Sequence, residues 1–208
     1  MDAKSLTRRA VLRLSSELVA ADYDVENETE LAHLFFWAIL SEARGSGVSS
    51  NALRSEIRLT NGGRIDFGFR AVEAGVPYEL FLELKVWVRP LHVSHMSKAN
   101  VATRKRNECI RDAKRLSGLI TNRACHHGGL LVLERNSSHL KRLLCDRLVE
   151  ANCSLEEEWF PLTRSSAGNH QEHLGLIWVG PNTPLDLTAG MQRPPDGTAS
   201  VARRSSTA

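Results

Sequence analysis

The stretch YELFLELKVWV, residues 78 to 88, is the segment on which the fold prediction rests. Almost all of its residues are apolar or aromatic, which is typical of a strand buried inside a sheet. Successive side chains of a strand point to opposite faces, so Glu83 and Lys85 are neighbours on one face. Ionised groups on a buried strand are costly unless they are paired, bind an ion or take part in chemistry. These two residues are therefore the first candidates for a functional site.

Two further strands are predicted immediately before this one. The segments ALRSEIRLT and RIDFGFRAV have a period of two residues, and the connections NGG and EAGVP are typical turns. Three strands joined by such short turns indicate an antiparallel meander. If the second and third strands pair with their charged faces aligned, Asp66 converges with Glu83 and Lys85. These strands and turns occupy residues 52–60, 61–63, 64–72, 73–77 and 78–88.

The sequence predicts two helices before the meander and two helices after it. The element order is α, α, β, β, β, α, β, α, followed by a less defined end with two candidate strands. We therefore expect an α/β fold with a mixed sheet flanked by helices, forming one domain over residues 1–180. Residues 181–208 are rich in Pro, Gly, Ser and Thr and are predicted to be a disordered tail. Helices are predicted at residues 4–20, 27–45, 99–120 and 137–152, and later strands at 128–135, 156–162 and 173–180.

The composition excludes several classes of protein. The chain has 208 residues, of which 42% are hydrophobic and 25% charged, as in soluble globular domains. No apolar stretch is long enough to cross a bilayer, and the N-terminus lacks the apolar region of a secretory signal. The four cysteines have neither CxxC spacing nor the density of a disulfide scaffold, which favours a cytoplasmic location. No membrane partner is expected.

The predicted third helix carries a stripe of basic residues. The net charge of the whole chain is only +3, so the distribution of charge is more informative than its sum. Such a stripe can contact the phosphates of a nucleic acid, and it is equally typical of a solvated helix face. Arg64 shares the face of Asp66, where it would touch phosphate or balance acidic charge. The candidate residues for nucleic-acid contacts are Arg64, Arg104, Lys105, Arg111 and Lys114.

Two carboxylates beside a lysine on one sheet face indicate a particular chemistry. Neighbouring carboxylates repel each other and attract a cation, and a small set of oxygen ligands suits Mg²⁺ or Mn²⁺. The metal ion lowers the pKa of a water molecule and polarises a phosphoryl oxygen. A lysine beside it orients the water or stabilises charge on the phosphate. Asp66, Glu83 and Lys85 are therefore interpreted as a device for phosphodiester hydrolysis.

The segments GGRIDF and LELKVW, with sixteen residues between Asp66 and Glu83, resemble the PD-(D/E)xK nuclease superfamily. The resemblance implies a restriction-endonuclease-like core of order α-β-β-β-α-β, which corresponds here to residues from about 27 to 135. It implies that Asp66 and Glu83 bind the metal ion and that Lys85 is the catalytic lysine. Many members add a glutamate from the first core helix, and Glu30, or alternatively Glu28, would take that place here. This chain has Ile65 where the proline of the superfamily's name would stand.

The function implied by this resemblance is a metal-dependent nuclease, an enzyme that hydrolyses phosphodiester bonds of nucleic acid with Mg²⁺ or Mn²⁺. DNA is the expected substrate, and two cuts in a duplex would favour a homodimer. Catalysis is assigned to Asp66, Glu83, Lys85 and Glu30.

Simpler interpretations of the same residues are also compatible with the sequence. Glu83 and Lys85 are also compatible with an ordinary ion pair, in which case the chain would be a ligand-binding α/β domain. Glu30 falls three residues after Asn27 and could close a capping box at the start of the second helix. Some members of the superfamily have lost catalysis, so the main alternative is a non-catalytic nucleic-acid-binding or regulatory module.

Overall fold

The computed structural model describes residues 2–60, 62–71, 75–86, 98–134, 138–150, 153, 155–163 and 172–181, and these form an α/β fold. The helices are α1 (Ala3–Ala20), α2 (Glu28–Gly45), α3 (Lys98–Thr121) and α4 (Ser138–Glu150), with a short 3₁₀ helix at Ser50–Ala52. The strands are β1 (Leu53–Arg58), β2 (Arg64–Arg70), β3 (Tyr78–Val86), β4 (Cys125–Glu134), β5 (Leu155–Leu162) and β6 (Glu172–Val179).

The six strands form one mixed sheet in the order β1-β2-β3-β4-β6-β5. The first three strands are the predicted antiparallel meander, and the NGG turn is closed by a 2.8 Å hydrogen bond from the Leu59 amide to the Gly63 carbonyl. β3 and β4 pair in parallel, and the long connection between them contains α3. β4 is central and apolar, as its composition predicts. The last strand, β6, lies between β4 and β5, which makes β5 an edge strand.

Each face of the sheet is covered by a pair of helices. α1 and α2 pack on one face, where Leu14 and Phe35 meet Leu82 and Leu84 of β3. α3 and α4 pack on the other face, where Leu116 meets apolar residues of β3 and β4. Burial of these side chains is the main favourable contribution to folding, and it fixes how each helix is rotated against the sheet.

Gly128 explains how closely α3 approaches the sheet. A Cβ atom at Gly128 would lie 3.0 Å from the Cβ atom of Leu116, so only a glycine permits this distance between helix and strand. Because Leu116 packs directly over β4, the side of α3 that carries Asp112 and Arg115 faces the neighbouring strand β3. This contact positions the site described below.

The observed bounds of the helices and strands differ from the predicted ones by at most two residues, except at the start of β4. β4 begins at Cys125, three residues before the predicted start, because Cys125 and His127 pair in parallel with β3. The described part of β3 ends at Val86, and the predicted residues 87 and 88 lie outside the described residues. Apart from Pro181, the predicted tail also lies outside them. Among the described residues, no helix combines the length and the apolar character needed to cross a membrane.

Candidate functional site

The structure brings Asp66, Glu83 and Lys85 together on the face of the sheet that α3 covers. The ladder between β2 and β3 ends at the pair Phe67 and Leu82, and Asp66 and Glu83 are the next residues on the two strands. One carboxylate oxygen of Asp66 accepts a 2.8 Å hydrogen bond from the Leu84 amide, which fixes its direction. The carboxyl of Glu83 is hydrogen-bonded to Asp66. The predicted convergence of Asp66 with Glu83 is therefore observed.

Glu83 is buried with only 2% of its surface exposed. Burial and the neighbouring Asp66 carboxylate raise the pKa of Glu83 to about 8, although Arg115 acts in the opposite direction. At neutral pH the Glu83 carboxyl therefore holds a proton in the absence of a bound cation. A carboxyl with this property is typical of a site built for ion binding or proton transfer.

Lys85 is held by acidic residues from two helices. Its Nζ atom lies 3.1 Å from Asp112 of α3 and 4.0 Å from Glu28 of α2. It also donates a 3.1 Å hydrogen bond to the Leu84 carbonyl. Burial alone would lower the pKa of Lys85, but the nearby carboxylates outweigh it, Asp112 most strongly, and raise the pKa. Lys85 is therefore a permanently charged group in this arrangement, suited to stabilising negative charge rather than to accepting a proton.

Sequence reasoning missed two members of this site, Asp112 and Arg115. The Arg115 guanidinium contacts the Glu83 carboxylate and lies 3.1 Å from Asp112. One signal for Asp112 was present in the sequence, because it falls three residues after Cys109 and four before Leu116, on the apolar side of α3. A buried acid in such a stripe requires a basic partner. We refer to Asp66, Glu83, Lys85, Asp112 and Arg115 as the charged cluster.

A rim of charged residues surrounds the cluster at the start of α2 and α3. Lys105 lies 2.6 Å from Glu28 and 3.3 Å from Glu108. Burial would raise the pKa of Glu108, but Lys105 and Arg104 together lower it. The rim therefore links α2 to α3 across the end of β3.

The structure also shows the surroundings of the other predicted site residues. Glu30 lies at the start of α2, where its carboxylate accepts hydrogen bonds from the Glu26 amide at 2.6 Å and from the Tyr23 hydroxyl. The Glu30 amide donates to the Asn27 side chain at 3.0 Å, which caps α2, and Glu28 is an α2 residue near Lys85.

The residues predicted to contact nucleic acid differ in exposure. Lys105 faces the rim with 15% of its side chain exposed, and it is not on the outer surface of α3. Arg104 is exposed and lies 3.1 Å from Glu108, while Arg64 is exposed and lies 3.2 Å from Glu56. Arg111 and Lys114 are exposed on the outer side of α3.

A second group of possible metal ligands lies elsewhere. Asp2, Glu79 and His127 each place one ligand atom within 4.8 Å of the others. Asp2 already caps α1 through the amides of Lys4 and Ser5. Burial, more than any other influence, lowers the pKa of His127. This group does not contact the charged cluster, and we assign it no function.

The chain matches no protein-family model, no curated protein and no solved structure. The function is therefore inferred from the site itself.

Proposed function

We propose that this protein is a metal-dependent nuclease of the PD-(D/E)xK type that hydrolyses phosphodiester bonds of nucleic acid, with DNA as the expected substrate. The observation that carries the proposal is the convergence of Asp66, Glu83 and Lys85 in a buried, charged cluster. The order α-β-β-β-α-β from α2 to β4 supports a restriction-endonuclease-like core. The sequence predicts both the convergence and the element order. A structural ion pair alone would not require acidic residues on two adjacent strands.

The residues of the cluster fit a divalent cation. The cluster comprises three carboxyls, on Asp66, Glu83 and Asp112, and two cations, on Lys85 and Arg115, and of these Glu83, Asp112 and Lys85 are buried. The excess of acid and the burial of Glu83 explain why its carboxyl takes up a proton below about pH 8. A divalent cation would replace that proton, and carboxylate oxygens are the ligands that Mg²⁺ and Mn²⁺ prefer. We propose Asp66 and Glu83 as the residues that hold the ion.

The side chains of the cluster have distinct proposed roles. A bound Mg²⁺ or Mn²⁺ would supply an acidified water molecule and a polarised phosphoryl oxygen. Lys85 is charged and faces the same space, so it would stabilise the negative charge that develops on the phosphate. Asp112 holds Lys85 in place at 3.1 Å, which makes Asp112 a positioning residue. Glu28 assists from α2 at 4.0 Å.

The outer surface of α3 is the proposed path of the nucleic-acid backbone. A shallow groove of about 410 Å³ is lined by Lys114, Arg106 and Arg147, and a second of about 570 Å³ by Arg104 and Arg111. Arginine and lysine side chains along such grooves neutralise phosphates without reading the base sequence. A homodimer remains our expectation for cutting both strands of a duplex.

The proposal is tested by incubating labelled DNA and RNA of several structures with the protein, with and without Mn²⁺. We expect metal-dependent cleavage that is lost in Lys85→Met, which keeps the apolar stem of the side chain and removes the charge. Lys4→Met is the matched control, since Lys4 pairs with Glu156 on the other side of the sheet. Cleavage that survives in Lys85→Met would contradict the assigned role of this residue.

One observation favours a second candidate, a non-catalytic nucleic-acid-binding module. The Glu83 carboxylate already has a cationic partner in Arg115, so the charged cluster satisfies its own charges as a buried ion-pair network. On this alternative, a folded wild-type protein binds nucleic acid but neither cuts it nor binds Mn²⁺.

A further inference from the structure

Arg115 occupies the position in the cluster where a metal ion would also have to bind. One terminal nitrogen of its guanidinium contacts Glu83 and lies 3.1 Å from Asp112. A carboxylate oxygen in close contact with a guanidinium has fewer lone pairs to offer a cation, and the two positive charges repel each other. A bound metal ion and the Arg115 guanidinium therefore weaken each other's contact with the Glu83 carboxylate.

The position of Arg115 also allows its guanidinium to move away from Glu83. Its side chain is 32% exposed, whereas the Glu83 side chain is 2% exposed, so the guanidinium closes the solvent side of the cluster. Its Nε atom is buried and has no hydrogen-bond partner among the described residues. An arginine with an unsatisfied donor in a buried pair loses fewer hydrogen bonds when it turns outward.

We propose that Arg115 and the divalent cation compete for the Glu83 carboxylate, so that Arg115 becomes free to contact a substrate phosphate only when the cation is bound. This inference rests on the proposed function and deepens it. In the cation-free site, Arg115 is the counter-ion that stabilises the charged cluster. In the cation-bound site, Arg115 binds a substrate phosphate. Guanidinium groups bind phosphate with two parallel hydrogen bonds, which suits Arg115 to both states.

The competition is tested by isothermal titration of the full chain with Mn²⁺ alone. Arg115→Gln removes the charge and keeps a side chain that can hydrogen-bond to Glu83. We expect it to bind Mn²⁺ about tenfold more tightly than the wild type, because one repelling charge is gone. Arg70→Gln is the control, since Arg70 is exposed at the end of β2 remote from Asp66, and its affinity for Mn²⁺ should equal that of the wild type. Circular dichroism establishes that each variant is folded, and Arg115→Lys, which keeps the charge, should retain the weaker wild-type affinity.

The outcomes separate this inference from the proposed function. Equal or weaker Mn²⁺ binding by Arg115→Gln would overturn the competition while leaving the metal site in place. Mn²⁺ binding by Arg115→Gln but not by the wild type would support the competition in its strongest form. No binding by either protein would overturn both.

A second readout tests the release of Arg115. In a Lys85→Met background, where cleavage is not expected, DNA binding is measured by fluorescence polarisation with and without Mn²⁺. We expect Mn²⁺ to strengthen DNA binding, and Arg115→Gln to remove most of that gain. A gain that is the same with and without Arg115 would show that the guanidinium does not move to the substrate.

Discussion

The raised pKa of Glu83 makes the stability of the protein depend on pH in a specific direction. The pKa rises from an ordinary value of 4.5 to about 8, so between these values the folded protein holds a proton that the unfolded chain releases. The free energy of unfolding therefore falls as the pH rises through this window, and the loss is complete above about pH 8. A shift of this size corresponds to about 5 kcal/mol, because each pKa unit is worth about 1.4 kcal/mol.

Replacing Glu83 by Gln removes this ionisation and keeps the shape of the side chain. We expect Glu83→Gln to gain up to about 5 kcal/mol relative to the wild type between about pH 5 and about pH 9. The assay is urea unfolding followed by tryptophan fluorescence, in EDTA so that no metal ion contributes. Glu79→Gln, on the same strand but one-third exposed, should show no comparable gain. Parallel pH profiles for Glu83→Gln and the wild type, or a relative loss for the variant at alkaline pH, would refute the reasoning.

Three further outcomes are expected. Asp112→Asn should lower the pKa of Lys85, measured by NMR of labelled lysine, and should reduce stability by about 3 kcal/mol, because it removes the nearest partner of a buried charge; an unchanged Lys85 pKa would contradict the pairing. Glu30→Ala should destabilise the protein by about 1 kcal/mol through loss of the hydrogen bonds that the Glu30 carboxylate accepts, while leaving Mn²⁺ affinity unchanged, and a weaker Mn²⁺ affinity would place Glu30 at the metal site. The double variant Arg111→Ala, Lys114→Ala should weaken DNA binding. It should also make the fall of log affinity with log salt shallower, by about 2 in slope, and an unchanged slope would show that these residues do not contact the phosphates.

The local parts of the fold are predictable from the sequence because they depend on neighbouring residues. The meander follows from period-two segments joined by short turns, and its register brings Asp66 close to Glu83 at the end of the ladder. The start of α2 follows from the Asn27 cap, which also accounts for the position of Glu30. At both places, the residues concerned are close together in the sequence.

The parts contributed by distant elements are not predictable in the same way. The sequence marks α3 as an amphipathic helix, but its contact with β4 at Gly128 decides which of its charges face β3. That contact turns Arg115 and Lys105 toward the site, whereas a count of basic residues treats the whole stripe as outward-facing. The insertion of β6 between β4 and β5 likewise depends on pairing across the chain.

The central claim is that Asp66 and Glu83 hold a metal ion that enables cleavage of nucleic acid. The most direct measurement is the cleavage rate as a function of Mn²⁺ concentration, for the wild type and for Asp66→Asn. We predict that the wild-type rate rises with Mn²⁺ and saturates at the concentrations at which Mn²⁺ binds directly, and that Asp66→Asn is inactive throughout this range. Cleavage that persists in EDTA, or that is unchanged in Asp66→Asn, would contradict the account.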